Sequence, residues 1–278
     1  MLMLNKSIPK KTHEETMELV EKTRAKRMEM FSEINKYFGT NTQISNKNLE
    51  KVLVFSSENE IFVIDYDDLI YPIASRTNWV RTLCSHKGQL YDGGDYKKIF
   101  ETVSGKEITS RREVVRTLCS HKGQLYDGGD YEQIYETLTR KVTSFRYNFI
   151  NSLCSHNGQL YDNGSDGSES YNIVETFSGK EIFSSNDIID QLCSHEGELY
   201  YIVDYLEIAK MDSQKSIGPR DSWINALCSH NGKLYEGGNN NQIIETISGK
   251  RIAKGDKRIL SLCSHPREYF VNTKILKT

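Results

Sequence analysis

Two hydrophobic rhythms divide the chain. Between residues 12 and 38, Met17, Val20, Met28, Phe31, Ile34 and Phe38 share one face of a 3.6-residue period. Thr12 and Glu15 form a capping box ahead of them, and Gly39 stands where a helix commonly ends. This pattern predicts an N-terminal α-helix, then a polar linker over 40–47 (TNTQISNK). From Leu53 onward the period is lost. Apolar residues there come in short runs of strand formers, broken by turn dipeptides ending in glycine.

The second rhythm is a repeat. LCSH begins at Leu83, Leu118, Leu153, Leu192, Leu227 and Leu262. The steps are 35 residues, except one of 39 between Leu153 and Leu192. Residues 83–96 and 118–131 are the same fourteen letters, LCSHKGQLYDGGDY, which duplication explains. Within 79–113, WVRTLCSH reads as one strand and QLYDGG as a second. KIFETVSG and KEITSR read as a third and a fourth. Lys87-Gly88 joins the first two, and its counterparts at Asn157-Gly158 and Asn231-Gly232 are the pair that type I′ hairpins favour. Four short strands per repeat make a propeller blade.

The ends indicate how such a ring shuts. Residues 53–76 align with 90–111, Leu53 on Leu90, Ile61 on Ile99, and Ile73–Arg76 on Ile108–Arg111. The N-terminal copy therefore supplies strands two to four, and the copy at Leu262 supplies strand one. The expected fold is all-β: a six-bladed β-propeller over 48–278, with five full blades and one composite blade closed by both termini. The helical extension, 1–47, precedes it, and its apolar face is expected to pack on the propeller or on a second copy. Pro266-Arg267 replaces the usual turn, and two courses are open for Glu268–Thr278, an added strand or a free run.

Composition narrows the function classes. A net charge of −2 over 278 residues gives no global field for nucleic acid or anionic lipid. The start, MLMLNKSIPKK, has too short an apolar run for a signal peptide, and no stretch approaches a membrane span. A cytoplasmic protein is expected. The six cysteines occupy one repeat position, so their even number follows from the repeat and they read as reduced, buried thiols. A Cys-Ser-His ring offers two soft ligands per blade, while packed sheets lie about 10 Å apart. No metal or other cofactor is expected. The 162–171 loop (DNGSDGSESY) lacks EF-hand spacing and reads as a solvated loop, with calcium the alternative. There is no phosphate loop or nucleophile elbow, so an enzyme is not the favoured reading.

Binding residues are sought where the repeats disagree. One column holds Trp79, Val114, Phe149, Ile188, Trp223 and Arg258. Two residues later come Arg81, Arg116, Asn151, Asp190, Asn225 and Leu260. Both lie where strand four crosses to the next blade's strand one. Aromatic and Arg side chains are common interface anchors, though the tryptophans also suit packing between blades. The loop between strands two and three, on the same face, adds Tyr96 and Tyr131, with Asp204-Tyr205 in the fourth full repeat. That repeat also replaces the double glycine with Ile202-Val203.

The LYDGG strand, the IFET strand and the Gly-Lys turn resemble the kelch and WD-repeat branches of the β-propeller superfamily over 48–278. Gly93-Gly94, Gly128-Gly129 and Gly237-Gly238 stand where kelch blades carry glycines. The period is shorter than kelch, the kelch tryptophan after strand three is absent, and no repeat ends in Trp-Asp. The resemblance implies a non-catalytic scaffold for a protein or peptide. The alternatives are a lectin-like binder of carbohydrate or small ligands with several equal sites, and a propeller hydrolase or lyase.

Overall fold

The short runs of strand formers become strands, four to a sheet, in six sheets. The computed structural model describes residues 51–65, 69–165, 170–273 and 275–276. The expected N-terminal helix and linker lie outside them, as does the centre of the 162–171 loop. The first strands are Val80–His86, Val115–His121, Ser152–His156, Ile189–His195, Ile224–His230 and Ile259–Pro266. Each touches the next, and the last touches the first, so they line the axis of a ring. In blade one, Gln89–Gly94, Lys98–Glu101 and Glu107–Ser110 follow outward. The described residues form a six-bladed β-propeller.

In the sixth blade Ile259–Pro266 pairs antiparallel with Lys51–Ser57, placing Cys263 opposite Val54 and Pro266 opposite Lys51. Glu60–Ile64 and Ile70–Ser75 complete it. Of the two courses open beyond Pro266, an added strand or a free run, the described residues take neither. Arg267–Asn272 forms a short α-helix. Phe270 on it is fully buried, in one cluster with Val52, Val54 and Ile61. The apolar Tyr-Phe-Val run gives the chain a reason to fold back where no hairpin partner follows.

Turn and packing chemistry explain the repeated letters. Lys87 and Gly88 sit at φ +48° and +76°, the paired left-handed conformation of a type I′ turn. The double glycine answers two close approaches. A Cβ on Gly93 would lie 2.8 Å from Val115 of the next blade, and one on Gly94 would lie 2.0 Å from the Trp79 carbonyl oxygen. Cys84, Tyr91 and Ile99 of one blade pack with Val115, Leu118 and Leu125 of the next. Each fully buried Leu or Ile contributes roughly 1.5–3 kcal/mol.

Two belts of polar contacts stitch blade to blade. The first joins each LCSH histidine to the LCSH serine of the following blade. Nδ1 of His86, His121, His156, His195, His230 and His265 meets Oγ of Ser120, Ser155, Ser194, Ser229, Ser264 and Ser85, at 2.8–2.9 Å throughout. The histidine ring reaches out of its own blade. It crosses the blade boundary because Cys84 and His86 share one strand face, toward the following blade. Asn157 and Asn231 also donate to Nε2 of His156 and His230, which assigns the Nδ1 proton to the serine contact there.

The second belt is made of arginine and acid. Arg76 holds Asp92, Arg111 holds Asp127, Arg146 holds Asp162 and Arg220 holds Glu236, each through Nε and Nη2. The arginine ends the fourth strand of one blade, and the acid lies in the second strand of the next. At the two remaining boundaries both partners are replaced together, by Ser185 with Tyr201 and by Gly255 with Phe55. Tyr201 packs on Phe183, and Phe55 stacks on Phe62.

The histidine belt carries a pH dependence. Burial draws His230 and His265 down to about 4, and it also lowers His86 and His121. These rings stay neutral in the folded ring, while unfolded histidine takes a proton at about 6.5. Their contribution is therefore intact above about pH 6.5 and is lost as pH falls toward 4. Unfolding free energies from urea titrations should drop between pH 7 and pH 5 by roughly 2 kcal/mol per deeply buried histidine, and the midpoints should fall with them. A midpoint that is flat across this range would count against the belt.

Candidate binding site at the channel mouth

Each blade sends one residue of the variable inner column into the ring axis, just before its first strand settles into the repeated LCSH. The structure brings all six together. Arg81, Arg116, Asn151, Asp190, Asn225 and Leu260 line one cavity of about 230 Å³ at the mouth of the channel. Gln191, Tyr205, Trp223, Asn239 and Arg258 complete its wall. The convergence has a simple cause. Residues far apart in sequence occupy one height on six neighbouring strands, and a ring of strands turns one height into one site.

The arginines are braced from outside. Arg81 Nε and Nη2 donate to Asp95 at 2.8 and 3.2 Å. Arg116 Nε donates to Asp130. Arg258 Nε stands 3.6 Å from Glu58. These partners are partly exposed, so each pair is worth less than about 1 kcal/mol. Their effect is orientation, since an acid on the Nε side leaves Nη groups for the cavity. Asn225 Nδ2 donates to Asn239 Oδ1 and to the Ile259 carbonyl, both at 2.9 Å.

Asp190 differs from its neighbours. Its carboxylate makes no hydrogen bond among the described residues. Burial pushes it up to about 6, against the opposing pull of Arg116 and then Arg81. Burial also raises the Tyr205 phenol, with the charge of Asp190 adding to it. Gln191, beside Asp190, stands in a column otherwise occupied by Thr82, Thr117, Ser152, Ala226 and Ser261. The hydroxyls of that column accept a backbone N–H from the next blade, and Gln191 Oε1 accepts Leu227 N at 3.4 Å.

The outer column divides. Trp223 lines the mouth, is 53% exposed and stacks on Tyr205 with centroids 5.1 Å apart. Trp79 does not line it. It lies beneath two guanidinium groups, Arg258 at 4.1 Å and Arg81 at 4.7 Å from its ring. Phe149 lies under Arg116 at 5.6 Å and borders a separate pocket with Phe145 and Tyr147.

Tyr96 and Tyr131 are corrected by the structure. Their hydroxyls turn inward to Asp92, at 2.5 Å, and to Asp127, at 2.7 Å, so they belong to the arginine–acid belt. Neither lines the mouth. Tyr205 occupies the same repeat position, but Tyr201 stands where the acid would be. With no carboxylate to hold its phenol, Tyr205 goes to the mouth and stacks on Trp223.

The sequence reading missed Gln191 and Asn239. A column comparison carries the signal for both: Gln191 breaks a run of small side chains, and Asn239 replaces the aspartate of Asp95, Asp130 and Asp204. It also missed the arginine–acid belt. The signal there is co-occurrence, since four repeats carry both partners and two carry neither.

No family model matches the sequence, and no curated protein does so either. Solved structures do match in shape. The WD40 β-propeller domain of Doa1 aligns with a TM-score of 0.51 at 12% identity, over 76% of this chain and 86% of that one. The structure of U3-55K aligns at 0.48 with 13% identity, over 70% and 72%. Such likeness concerns the fold. Taken with the six four-stranded blades, the match to the Doa1 domain shows that this chain has the β-propeller fold.

Proposed function

We propose that this chain is a non-catalytic binding module that holds a protein or peptide segment at the channel mouth. One observation carries the reading. The six inner-column residues, which vary from blade to blade while the scaffold around them repeats, line a single cavity. Its volume of about 230 Å³ is below the roughly 300–1,000 Å³ of small-molecule sites, and suits one or two side chains of a larger partner. An exposed tryptophan and three arginines are the side chains that anchor interfaces.

The lectin-like alternative drew on near-identical loops acting as equal sites. The acids of those repeats are taken up internally, since Asp127 already accepts Arg111, Tyr131 and Thr137. The hydrolase or lyase alternative has one observation in its favour, the unpartnered Asp190 beside arginines. Among the described residues, no histidine lines the mouth beside it. Six buried thiols suit a reducing compartment, and the cytoplasm is proposed on that ground.

Trp223→Ala and Arg81→Ala should each weaken capture of the native partner at least about tenfold, a hot-spot effect of about 1.4 kcal/mol or more. Both should leave stability within about 1 kcal/mol, because these groups are exposed or surface-paired. Quantitative pull-down with matched urea melts reads both. Undiminished capture by the double variant would reject the mouth as the site, and calorimetry should give one site per chain.

A further inference from the structure

The ligand chemistry of the mouth can be read further, on the basis that the mouth is the binding site. We infer that it takes a peptide carboxylate, either an Asp or Glu side chain or a free C-terminus, and that the bound carboxylate shares a proton with Asp190.

The inventory of polar atoms points to an oxyanion. Arg81 keeps Nη1, and Arg116 and Arg258 keep both Nη groups, without a hydrogen bond among the described residues. Asn239 uses Oδ1 as an acceptor, so its Nδ2 remains to donate. Gln191 uses Oε1, so its Nε2 remains. On the acceptor side stand Asp190 and the oxygens of Asn151 and Asn225. Donors outnumber acceptors, and guanidinium forks match carboxylate geometry. The cavity's volume admits one such group with its short stem.

The charge balance explains the proton. Arg81, Arg116 and Arg258 are matched by Asp95, Asp130 and Glu58. Asp190 is the uncompensated charge. A bare carboxylate arriving beside it would add a second like charge in a desolvated site, which is strongly disfavoured. A proton held between the two carboxylates keeps the net charge of the mouth unchanged on binding. Asp190 already sits at about 6 through burial, so the proton is available near neutral pH. The other charged or titratable groups facing this region are Tyr205, with Tyr171 and Asp204 beside it. Tyr205 stays protonated in this range. An ammonium ligand would satisfy Asp190, but it would face three guanidiniums.

The chain's only two tryptophans, Trp79 and Trp223, both lie on this face, so intrinsic fluorescence reports occupancy. Four synthetic Gly-Ser heptapeptides serve as probes. Three have amidated ends and a central Glu-Glu, Gln-Gln or Lys-Lys, and the fourth has Gln-Gln with a free C-terminal carboxylate. One or both carboxylate peptides should bind, and the amidated Gln-Gln and Lys-Lys peptides should not. Which of the two binds separates a side chain from a terminus as the source. Binding should tighten about tenfold from pH 7.5 to 5.5 as Asp190 takes up its proton. Asp190→Asn should bind equally at both values and as tightly as the wild type does at pH 5.5. Arg116→Ala should lose at least about tenfold at both.

Three results would overturn the inference: capture of the Lys-Lys peptide that Asp190→Asn abolishes, carboxylate binding that is flat with pH, or no binding of any peptide up to about 1 mM. Each leaves the mouth intact as a binding site, because that reading is tested separately by native-partner capture with Trp223→Ala and Arg81→Ala.

Discussion

Deleting residues 259–278 is expected to abolish cooperative folding of the ring. Ile259–Pro266 is the first strand of the sixth blade, and its loss strips the partner from Lys51–Ser57. That seven-residue edge is apolar at Val52, Leu53, Val54 and Phe55, an exposed template for intermolecular pairing. Both ends of the first-strand ring open at once. Ser264 no longer meets His230, His265 no longer meets Ser85, and Ser261 no longer accepts Leu83 N. Leu262, Phe270 and Leu276 leave the core with them. Losing several buried side chains at 2–5 kcal/mol each exceeds the roughly 5–15 kcal/mol by which a domain is stable. The truncated chain should therefore give no sigmoidal urea transition and should elute as aggregate. A transition at the wild-type midpoint would show that these strands do not close the ring.

Arg111→Ser is expected to cost about 3–5 kcal/mol, the price of leaving a buried carboxylate without its charge partner. Asp127 is 0% exposed and Arg111 6%, so water cannot replace the guanidinium. Tyr131 and Thr137 still donate to Asp127, but neither carries charge. The chain itself contains the compensated alternative. At the boundary between the third and fourth full blades, Ser185 and Tyr201 occupy these two positions and pack without an ion pair. Arg111→Ser combined with Asp127→Tyr should then be more stable than Arg111→Ser alone by at least about 1 kcal/mol. That would be a positive coupling of the kind neighbouring sites show. Chemical denaturation of the two single variants and the double variant measures it. A cost below about 1 kcal/mol for Arg111→Ser would remove the belt from the list of stabilising features.

The two belts differ in how visible they are in the chain. The serine and histidine of LCSH are conspicuous, yet nothing in the tetrapeptide says that the histidine bonds the next blade's serine. That follows from which strand face each occupies and from the spacing of strands around the axis. Asp92 and Arg76 are plainer letters, and they become partners only when the fourth strand of one blade lies over the second strand of the next. Their pairing could have been found by asking which repeat columns change together.

What the sequence determined by itself was the unit and its number. A 35-residue period, turn glycines at fixed places and four strand-like runs per period specify a blade through local physics, and six copies of LCSH specify how many. It also determined which columns vary, because a repeated packing problem holds the others constant. The tertiary structure alone decided what those variable residues do. Tyr96 and Tyr205 share a column, but Asp92 draws one phenol into the belt while Tyr201 leaves the other to stack on Trp223. Arg81 and Asp190 are separated by three repeats and meet at the mouth because a closed ring turns equal heights on separate strands into a single cavity. The split sixth repeat marks in the sequence where the ring shuts, but which side chains then meet is a long-range property of the closed ring.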